Sequence, residues 1–129
     1  MKVAIGSDNA GFCLKEDIKE YLLEKGYGVE DVGTLSREKE VKYMYAADAV
    51  AKAVQAGKAD RGLVFCGTGA GVSIVANKHK GIYCVVVESQ WAAHSARFIN
   101  NANVLAIGER IVAPVMARDG GYFSKYKIS

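Results

Sequence analysis

The chain has 129 residues, of which 50% are hydrophobic and 24% are charged, and it contains a single proline. This composition predicts one compact domain over residues 1–129 and excludes a disordered or fibrous chain. The formal net charge of +3 comes from basic residues that are interspersed with acidic ones, so the sequence does not indicate a nucleic-acid partner.

The cysteines and the apolar segments indicate the cellular compartment of the protein. Three cysteines stand at positions 13, 66 and 84, an odd number without a Cys-x-x-Cys pair, so neither a disulfide framework nor a metal site is predicted. The first residues contain too short an apolar run for a signal peptide, and no segment approaches the roughly twenty apolar residues of a membrane span. We therefore expect a cytoplasmic protein with no membrane partner.

Apolar runs and helical periodicities alternate along the chain. Residues 2–5 predict a buried strand, and Leu14, Ile18 and Leu22 then recur at helical spacing before Gly26 ends the helix. The same order repeats, and Pro114 fits only the first turn of the last helix. The strands are predicted at residues 2–5, 28–32, 63–66, 82–87 and 103–107, and the later helices around residues 46–53, 72–78, 90–99 and 111–117.

Five strands that alternate with helices predict an α/β fold. The expected architecture is a three-layer, doubly wound, Rossmann-like domain with a five-stranded parallel sheet. In such a domain ligands bind beyond the carboxyl ends of the strands. The residues at those ends are Ser7 and Asp8, Gly33 and Thr34, Cys66, Glu88 and Ser89, and residues 108–110.

The segment CGTGAG at residues 66–71 joins a predicted strand to a predicted helix. Its glycines let the backbone approach a ligand, and the unpaired N–H groups at the helix start can bind an anion or a developing oxyanion. The same helix end favours Cys66 as a thiolate, which can remove a proton from carbon or attack it. The segment therefore predicts a catalytic site for a small anionic substrate, with a plain strand-to-helix turn and a buried cysteine as the alternative.

With these residues placed, the chain resembles the family of ribose-5-phosphate isomerase B and galactose-6-phosphate isomerase. The resemblance runs from Met1 to about Val112, and it implies interconversion of aldose and ketose phosphates through an enediolate, without a metal or an organic cofactor. The matching motifs stand in the family's order at residues 6–12, 14–15, 31–34, 59–62, 66–74, 76–78 and 100–106.

The resemblance also implies roles for individual residues. Cys66 would be the base, Thr68 would assist proton movement at the substrate oxygens, and the backbone of Gly67, Gly69, Ala70 and Gly71 would stabilise the enediolate. A homodimer or a dimer of dimers is implied, in which Asn100 reaches the partner's site. The remaining substrate contacts would come from Asp8, Asn9, Tyr43 and, at the phosphate, Arg110.

The chain departs from the family at a few positions. Asn9 and Ile99 stand where family members carry histidines, and the second of these histidines is credited with opening the sugar ring. Residues 42–44 read Lys-Tyr-Met in place of the family's Asp-Tyr-Pro, and the C-terminal tail is short, with Lys125 and Lys127 as its candidates for a phosphate contact. His79 is predicted to be exposed.

Three functions remain open at this point. The first is an aldose–ketose isomerase whose substrate arrives in the open-chain form, for instance a tetrose phosphate. The second is a conventional isomerase of the ribose 5-phosphate and ribulose 5-phosphate type. The third is a non-catalytic or partner-dependent subunit of a sugar-phosphate isomerase assembly, against which the intact Cys66 counts.

Overall fold

A computed structural model describes residues 1–33, 36 and 38–126 of the chain. Thr34 and Lys127, both named above, lie outside this part. The strands are β1 (Lys2–Ser7), β2 (Gly28–Asp31), β3 (Arg61–Cys66), β4 (Cys84–Val86) and β5 (Val104–Gly108). The helices are α1 (Phe12–Glu24), α2 (Tyr43–Gln55), α3 (Ala70–Ala76), α4 (Gln90–Phe98), α5 (Pro114–Asp119) and α6 (Tyr122–Tyr126).

The strands form one parallel sheet in the order β2-β1-β3-β5-β4, which confirms the predicted fold class. The strand β3 therefore lies in the middle of the sheet, between β1 and β5. Its last residues pair with the ends of both neighbours, since Phe65 is opposite Ser7 and Cys66 is opposite Gly108. This arrangement brings the carboxyl ends of β1, β3 and β5 together.

Helices cover both faces of the sheet. On one face α1, α4, α5 and α6 pack around Leu63 and Phe65, and on the other face α2 and α3 pack around Val64 and Cys66. Successive side chains of a strand point to opposite faces, so β3 supplies both cores in turn. The side chain of Cys66 thus faces the layer that contains α3. Within the described residues, no helix has the length and hydropathy needed to cross a membrane.

The structure differs from the sequence prediction mainly toward the C-terminal end. The fifth predicted helix begins at Pro114 instead of residue 111, and Pro114 occupies its first turn as expected. Residues 109–112 form a turn whose N–H groups bond to the carbonyl oxygens of Cys66, Gly67 and Gly108. The helix α6 was not predicted, and it buries Tyr122, Phe123 and Tyr126 in the core that contains α1.

Candidate active site

Cys66 ends β3, and its side chain is only 5% exposed. Its Sγ accepts a hydrogen bond from the backbone N–H of Gly69 at 3.1 Å, across the turn that leads into α3. An N–H group that donates to sulfur stabilises negative charge on it, and the start of a helix adds a positive field. The hydrogen bond holds the sulfur of Cys66 at the start of α3, and the thiolate form of Cys66 stays a prediction from the sequence.

The turn after Cys66 depends on two glycines. Gly69 has a φ of +85°, in the left-handed region that favours glycine, and it caps α3. Gly108, at the end of β5, lies so close to the turn that a Cβ atom on it would stand 2.5 Å from the carbonyl carbon of Thr68. The hydroxyl of Thr68 accepts from the N–H of Ala70 at 3.2 Å. The end of β5 therefore fixes the position of Thr68.

Tyr43 and Arg110 both border the same turn. A Cβ atom on Gly71 would lie 2.9 Å from the ring of Tyr43, so this ring rests on the first turn of α3. A Cβ atom on Gly67 would lie 3.7 Å from Cδ and 3.8 Å from Nε of Arg110. Arg110 also donates its backbone N–H to the carbonyl of Gly67 at 3.0 Å. A guanidinium and a phenol ring thus stand beside the Cys66 turn.

Asp8 follows β1 and lies next to the end of β3, since its backbone N–H donates to the carbonyl of Phe65 at 3.3 Å. Its Oδ1 accepts from the N–H of Gly11 at 2.9 Å. Burial raises the pKa of the Asp8 carboxyl above its usual value, and the negative charge of Glu109 adds to the rise, although hydrogen bonds from the local backbone act in the opposite direction. A carboxyl with a raised pKa at the edge of a cleft is a candidate for a contact with a ligand.

Asn9 holds the segment before α2. Its side-chain amide donates to the carbonyl of Lys39 at 3.1 Å, and its Oδ1 accepts from the N–H of Val41 at 2.8 Å. A cleft of about 260 Å³ opens between this segment and the turn after β1. The cleft is lined by Asp8, Asn9, Ala10 and residues 40–44.

Asn100 and Ile99 lie away from this cluster. They follow α4 and precede β5, at the edge of the sheet where the strands begin, whereas Cys66 lies at the edge where they end. Both side chains are exposed, Ile99 by 73%. Of the site residues predicted from the sequence, Asp8, Tyr43 and Arg110 lie around the turn at residues 66–71, Asn9 lines the neighbouring cleft, and Asn100 lies apart.

No separate role is predicted for Glu109 from the sequence. Its Oε1 accepts from the N–H of Leu14 at 2.7 Å, and its own backbone N–H donates to the carbonyl of Cys66 at 2.9 Å. The residue was included only as part of the range 108–110 at the end of the fifth strand. Its position after a buried strand, next to Arg110, was the only signal available.

The prediction that His79 is exposed was wrong. Its side chain is only 15% exposed, and its Nε2 lies 2.7 Å from Oδ1 of Asp48 on α2. Its Nδ1 lies 3.0 Å from the carbonyl oxygen of Val75 at the end of α3. Among residues 1–33, 36 and 38–126, no three histidine, cysteine or acidic side chains lie close enough to hold a metal ion.

The chain is similar to known isomerases in sequence. It is 47% identical over 116 residues to the 4-deoxy-4-sulfo-D-erythrose isomerase of Clostridium sp. strain MSTE9, an alignment that covers 90% of this chain and 73% of the relative. It is 42% identical over 120 residues to the D-erythrulose-4-phosphate isomerase 2 of Mycolicibacterium smegmatis, covering 92% and 79% of the two chains.

The fold is similar to that of a solved isomerase. Ribose-5-phosphate isomerase B of Clostridium thermocellum superposes with a TM-score of 0.94 and 43% sequence identity, covering 100% of this chain and 85% of that one. The sequence model of the family described as Ribose/Galactose Isomerase matches residues 3–120. The chain therefore belongs to the ribose/galactose isomerase family and is an aldose–ketose isomerase.

Proposed function

We propose that the protein interconverts the aldose and the ketose form of a small sugar that carries a phosphate or a similar anion at its end. Cys66 is the base, and no cofactor takes part. The observation that carries the proposal is the hydrogen bond from Gly69 to Cys66 Sγ, beside the side chain of Arg110. The sulfur, a row of N–H groups and a cation are thereby brought within the reach of one small substrate.

The proposed reaction moves one proton between adjacent carbons. The Cys66 thiolate removes the proton from C2 of the aldose, the C–H electron pair forms the C1–C2 double bond, and the aldehyde oxygen becomes an oxyanion. The hydroxyl of Thr68 assists transfer of a proton from O2 to O1. Return of the proton from Sγ to C1 then gives the ketose and regenerates the thiolate.

The charges that develop have partners in the site. The N–H of Gly71, in the first turn of α3, has no carbonyl acceptor inside the helix, so it can donate to an enediolate oxygen, whereas the N–H of Ala70 is bonded to the hydroxyl of Thr68. The guanidinium of Arg110 is suited to the terminal anion, and Asp8, Asn9 and Tyr43 border the cleft where the substrate hydroxyls would lie. Binding of the terminal anion and the hydroxyls by these residues would align C1 and C2 with the sulfur.

The residues at positions 9 and 99 favour a substrate that needs no ring opening. Ile99, which would reach the site only from the second copy proposed below, cannot exchange a proton, and the polar atoms of Asn9 already bond to the backbone of Lys39 and Val41. A four-carbon aldose whose C4 carries the anion has no free hydroxyl with which to close a five-membered ring. Two of the relatives described above are named for such substrates, a sulfo-erythrose and erythrulose 4-phosphate. We therefore infer a preference for four-carbon substrates over ribose 5-phosphate.

The test is turnover in deuterated water. Erythrose 4-phosphate, 4-deoxy-4-sulfo-erythrose and ribose 5-phosphate are incubated with the wild-type protein, with Cys66→Ala and with Cys84→Ala. Cys84 is a buried cysteine on β4 and serves as the matched control. We expect ketose that carries solvent deuterium from the wild type and from Cys84→Ala, fastest with a four-carbon substrate, and none from Cys66→Ala.

Each other outcome contradicts a defined part of the proposal. Turnover by Cys66→Ala excludes Cys66 as the base. A preference for ribose 5-phosphate excludes the four-carbon inference but keeps the mechanism. Absence of turnover with every substrate by the folded wild-type protein favours the non-catalytic or partner-dependent subunit.

We also propose that the site is completed in a homodimer by Asn100 of a second copy. Asn100 cannot reach Cys66 of its own chain from the opposite edge of the sheet. Near it, α4 presents a row of stacked rings in which Trp91 and Phe98 are exposed and His94 is half-buried, with centroids 5.2 Å apart between Trp91 and His94 and 4.7 Å apart between His94 and Phe98. Large exposed apolar patches mark protein interfaces, so α4 is the face proposed for the second copy.

Mixing two inactive variants tests this assembly. In a mixed dimer of Cys66→Ala and Asn100→Ala, one site regains both side chains and the other loses both. Random exchange of subunits should therefore restore about a quarter of the wild-type activity. Absence of restored activity, with exchange verified by sedimentation of a tagged copy, would exclude a shared site.

A further inference from the structure

We infer that Glu109 is a positioning residue that holds the strand end bearing Cys66 against the start of α1, an inference that rests on the proposed function. Glu109 follows β5, and its side chain is half-buried between β3 and α1. Its carboxylate does not line the cleft, although its negative charge raises the pKa of Asp8 at the cleft. Its main effect on the reaction would pass through the hydrogen bonds that it makes to the backbone of Cys66 and of α1.

The carboxylate is bonded to α1. Its Oε1 accepts from the N–H of Leu14 at 2.7 Å. Leu14 belongs to the first turn of α1, where N–H groups have no acceptor inside the helix, and a negative charge at this end also interacts favourably with the helix dipole. The residue that precedes α1 is Gly11, which has no side chain that could cap the helix. The distant Glu109 therefore caps one of its first N–H groups.

The backbone of the same residue is bonded to Cys66. The N–H of Glu109 donates to the carbonyl of Cys66 at 2.9 Å, and the next residue, Arg110, donates in the same way to Gly67 at 3.0 Å. One residue therefore joins the end of β3 to the first turn of α1 through two hydrogen bonds, one from its backbone and one to its side chain.

The two elements that Glu109 joins are in direct backbone contact. A Cβ atom on Gly11, just before α1, would stand 2.6 Å from the carbonyl carbon of Phe65 and 2.7 Å from the nitrogen of Cys66. The same Gly11 donates its N–H to Asp8. Loss of the Glu109 carboxylate would release α1 from this close approach and shift Asp8 relative to Cys66. A misplacement of reacting groups by about 1 Å can lower the rate of the chemical step about 100-fold.

Three variants separate the hydrogen bond from the charge. Glu109→Gln keeps an acceptor at the same reach without the charge, Glu109→Asp keeps the charge with a shorter reach, and Glu109→Ala removes both. The matched control is Glu24→Ala, which removes an exposed glutamate from the far end of α1. We expect kcat to fall about 10-fold to 100-fold in Glu109→Ala and Glu109→Asp with KM little changed, and to stay within about threefold of wild type in Glu109→Gln and Glu24→Ala.

A second readout needs no substrate. The rate at which iodoacetamide alkylates Cys66, followed on the peptide that contains it, should change several-fold in Glu109→Ala and Glu109→Asp and return to the wild-type rate in Glu109→Gln. The alkylation rate depends on the surroundings of the sulfur even if Cys66 is not the base. It is measured only on variants that circular dichroism shows to be folded.

The possible failures are distinguishable. Wild-type kcat in Glu109→Ala and Glu109→Asp, while Cys66→Ala is inactive, overturns the positioning role and leaves the proposed function intact. A Glu109→Gln variant that is folded and as slow as Glu109→Ala overturns it as well, because the hydrogen bond would then not be the means of action. Turnover by Cys66→Ala contradicts the proposed function, and the alkylation rates then decide the positioning role alone.

Discussion

Replacement of Gly108 by alanine should inactivate the enzyme by moving Thr68. A Cβ atom at position 108 would stand 2.5 Å from the carbonyl carbon, 2.7 Å from Cα and 2.7 Å from the oxygen of Thr68. All three are backbone atoms, so rotation of a side chain cannot relieve the contact. Ordinary contact between non-bonded carbon atoms begins at about 3.5 Å, so the turn after Cys66 must move by about 1 Å.

Two effects of this displacement can be measured. Overpacking of this kind costs about 1–3 kcal/mol of stability. A shift of about 1 Å in groups that act on the substrate lowers kcat about 100-fold. Isomerisation of the best substrate found in the deuterium experiment gives kcat and KM, and urea denaturation gives the free energy of unfolding.

Gly62→Ala is the matched control for Gly108→Ala. A Cβ atom on Gly62 would stand 2.6 Å from Cγ1 of Val50, near the beginning of β3 and far from Cys66. This variant should also lose stability, because the core is overpacked, and keep its kcat. If Gly108→Ala retains kcat/KM within about twofold of wild type, or if Gly62→Ala loses as much activity, the reasoning from geometry to activity is refuted.

Other substitutions test the site and the core. Because burial raises the pKa of Asp8, its ionisation above about pH 4 opposes folding. Asp8→Asn should therefore raise the melting temperature at pH 7 while turnover falls. A lower melting temperature would contradict this. Lys52 and His79 hold the pKa of Asp48 below its usual value, so the Asp48 carboxylate stabilises the fold above about pH 4. This contribution disappears as the pH falls further. Asp48→Asn should therefore flatten the pH dependence of the melting temperature below about pH 4. Tyr126→Phe removes a buried hydrogen bond of 2.6 Å and should cost about 1 kcal/mol in urea denaturation with kcat unchanged.

The strands and the rim of the sheet could be predicted because they follow from hydrophobicity alone. In β3 and β5 every residue except Arg61 is buried, and such continuous apolar runs are typical of parallel strands covered on both faces. Once the order of strands and helices is known, topology places Asp8, Cys66 and Arg110 at one edge without any knowledge of side-chain contacts. The reactivity of Cys66 followed from its place before a helix start, whereas the roles of Asp8 and Arg110 came from the resemblance to a family.

Contacts between distant segments could not be predicted. Glu109 and Leu14 are 95 positions apart, and no periodicity connects a turn residue to a helix start. Lys15 is fully buried although its charge suggests a solvated helix face, because its Nζ pairs with Asp31 at 2.6 Å. The helix α6 has only five residues, too few for a helical period to be detected.

The order of the strands also governs how the chain acquires its activity. The middle strand of the sheet, β3, needs a neighbour that precedes it in the chain and one that follows it, and β5 is synthesised well after Cys66. Pairing between strands so far apart is slow, because the loop between them must be ordered first. Until β5 is in place, β3 has an unpaired edge and its thiol lacks the residues that surround it. During refolding, turnover should therefore recover only when β5 pairs with β3, later than the helical structure recovers.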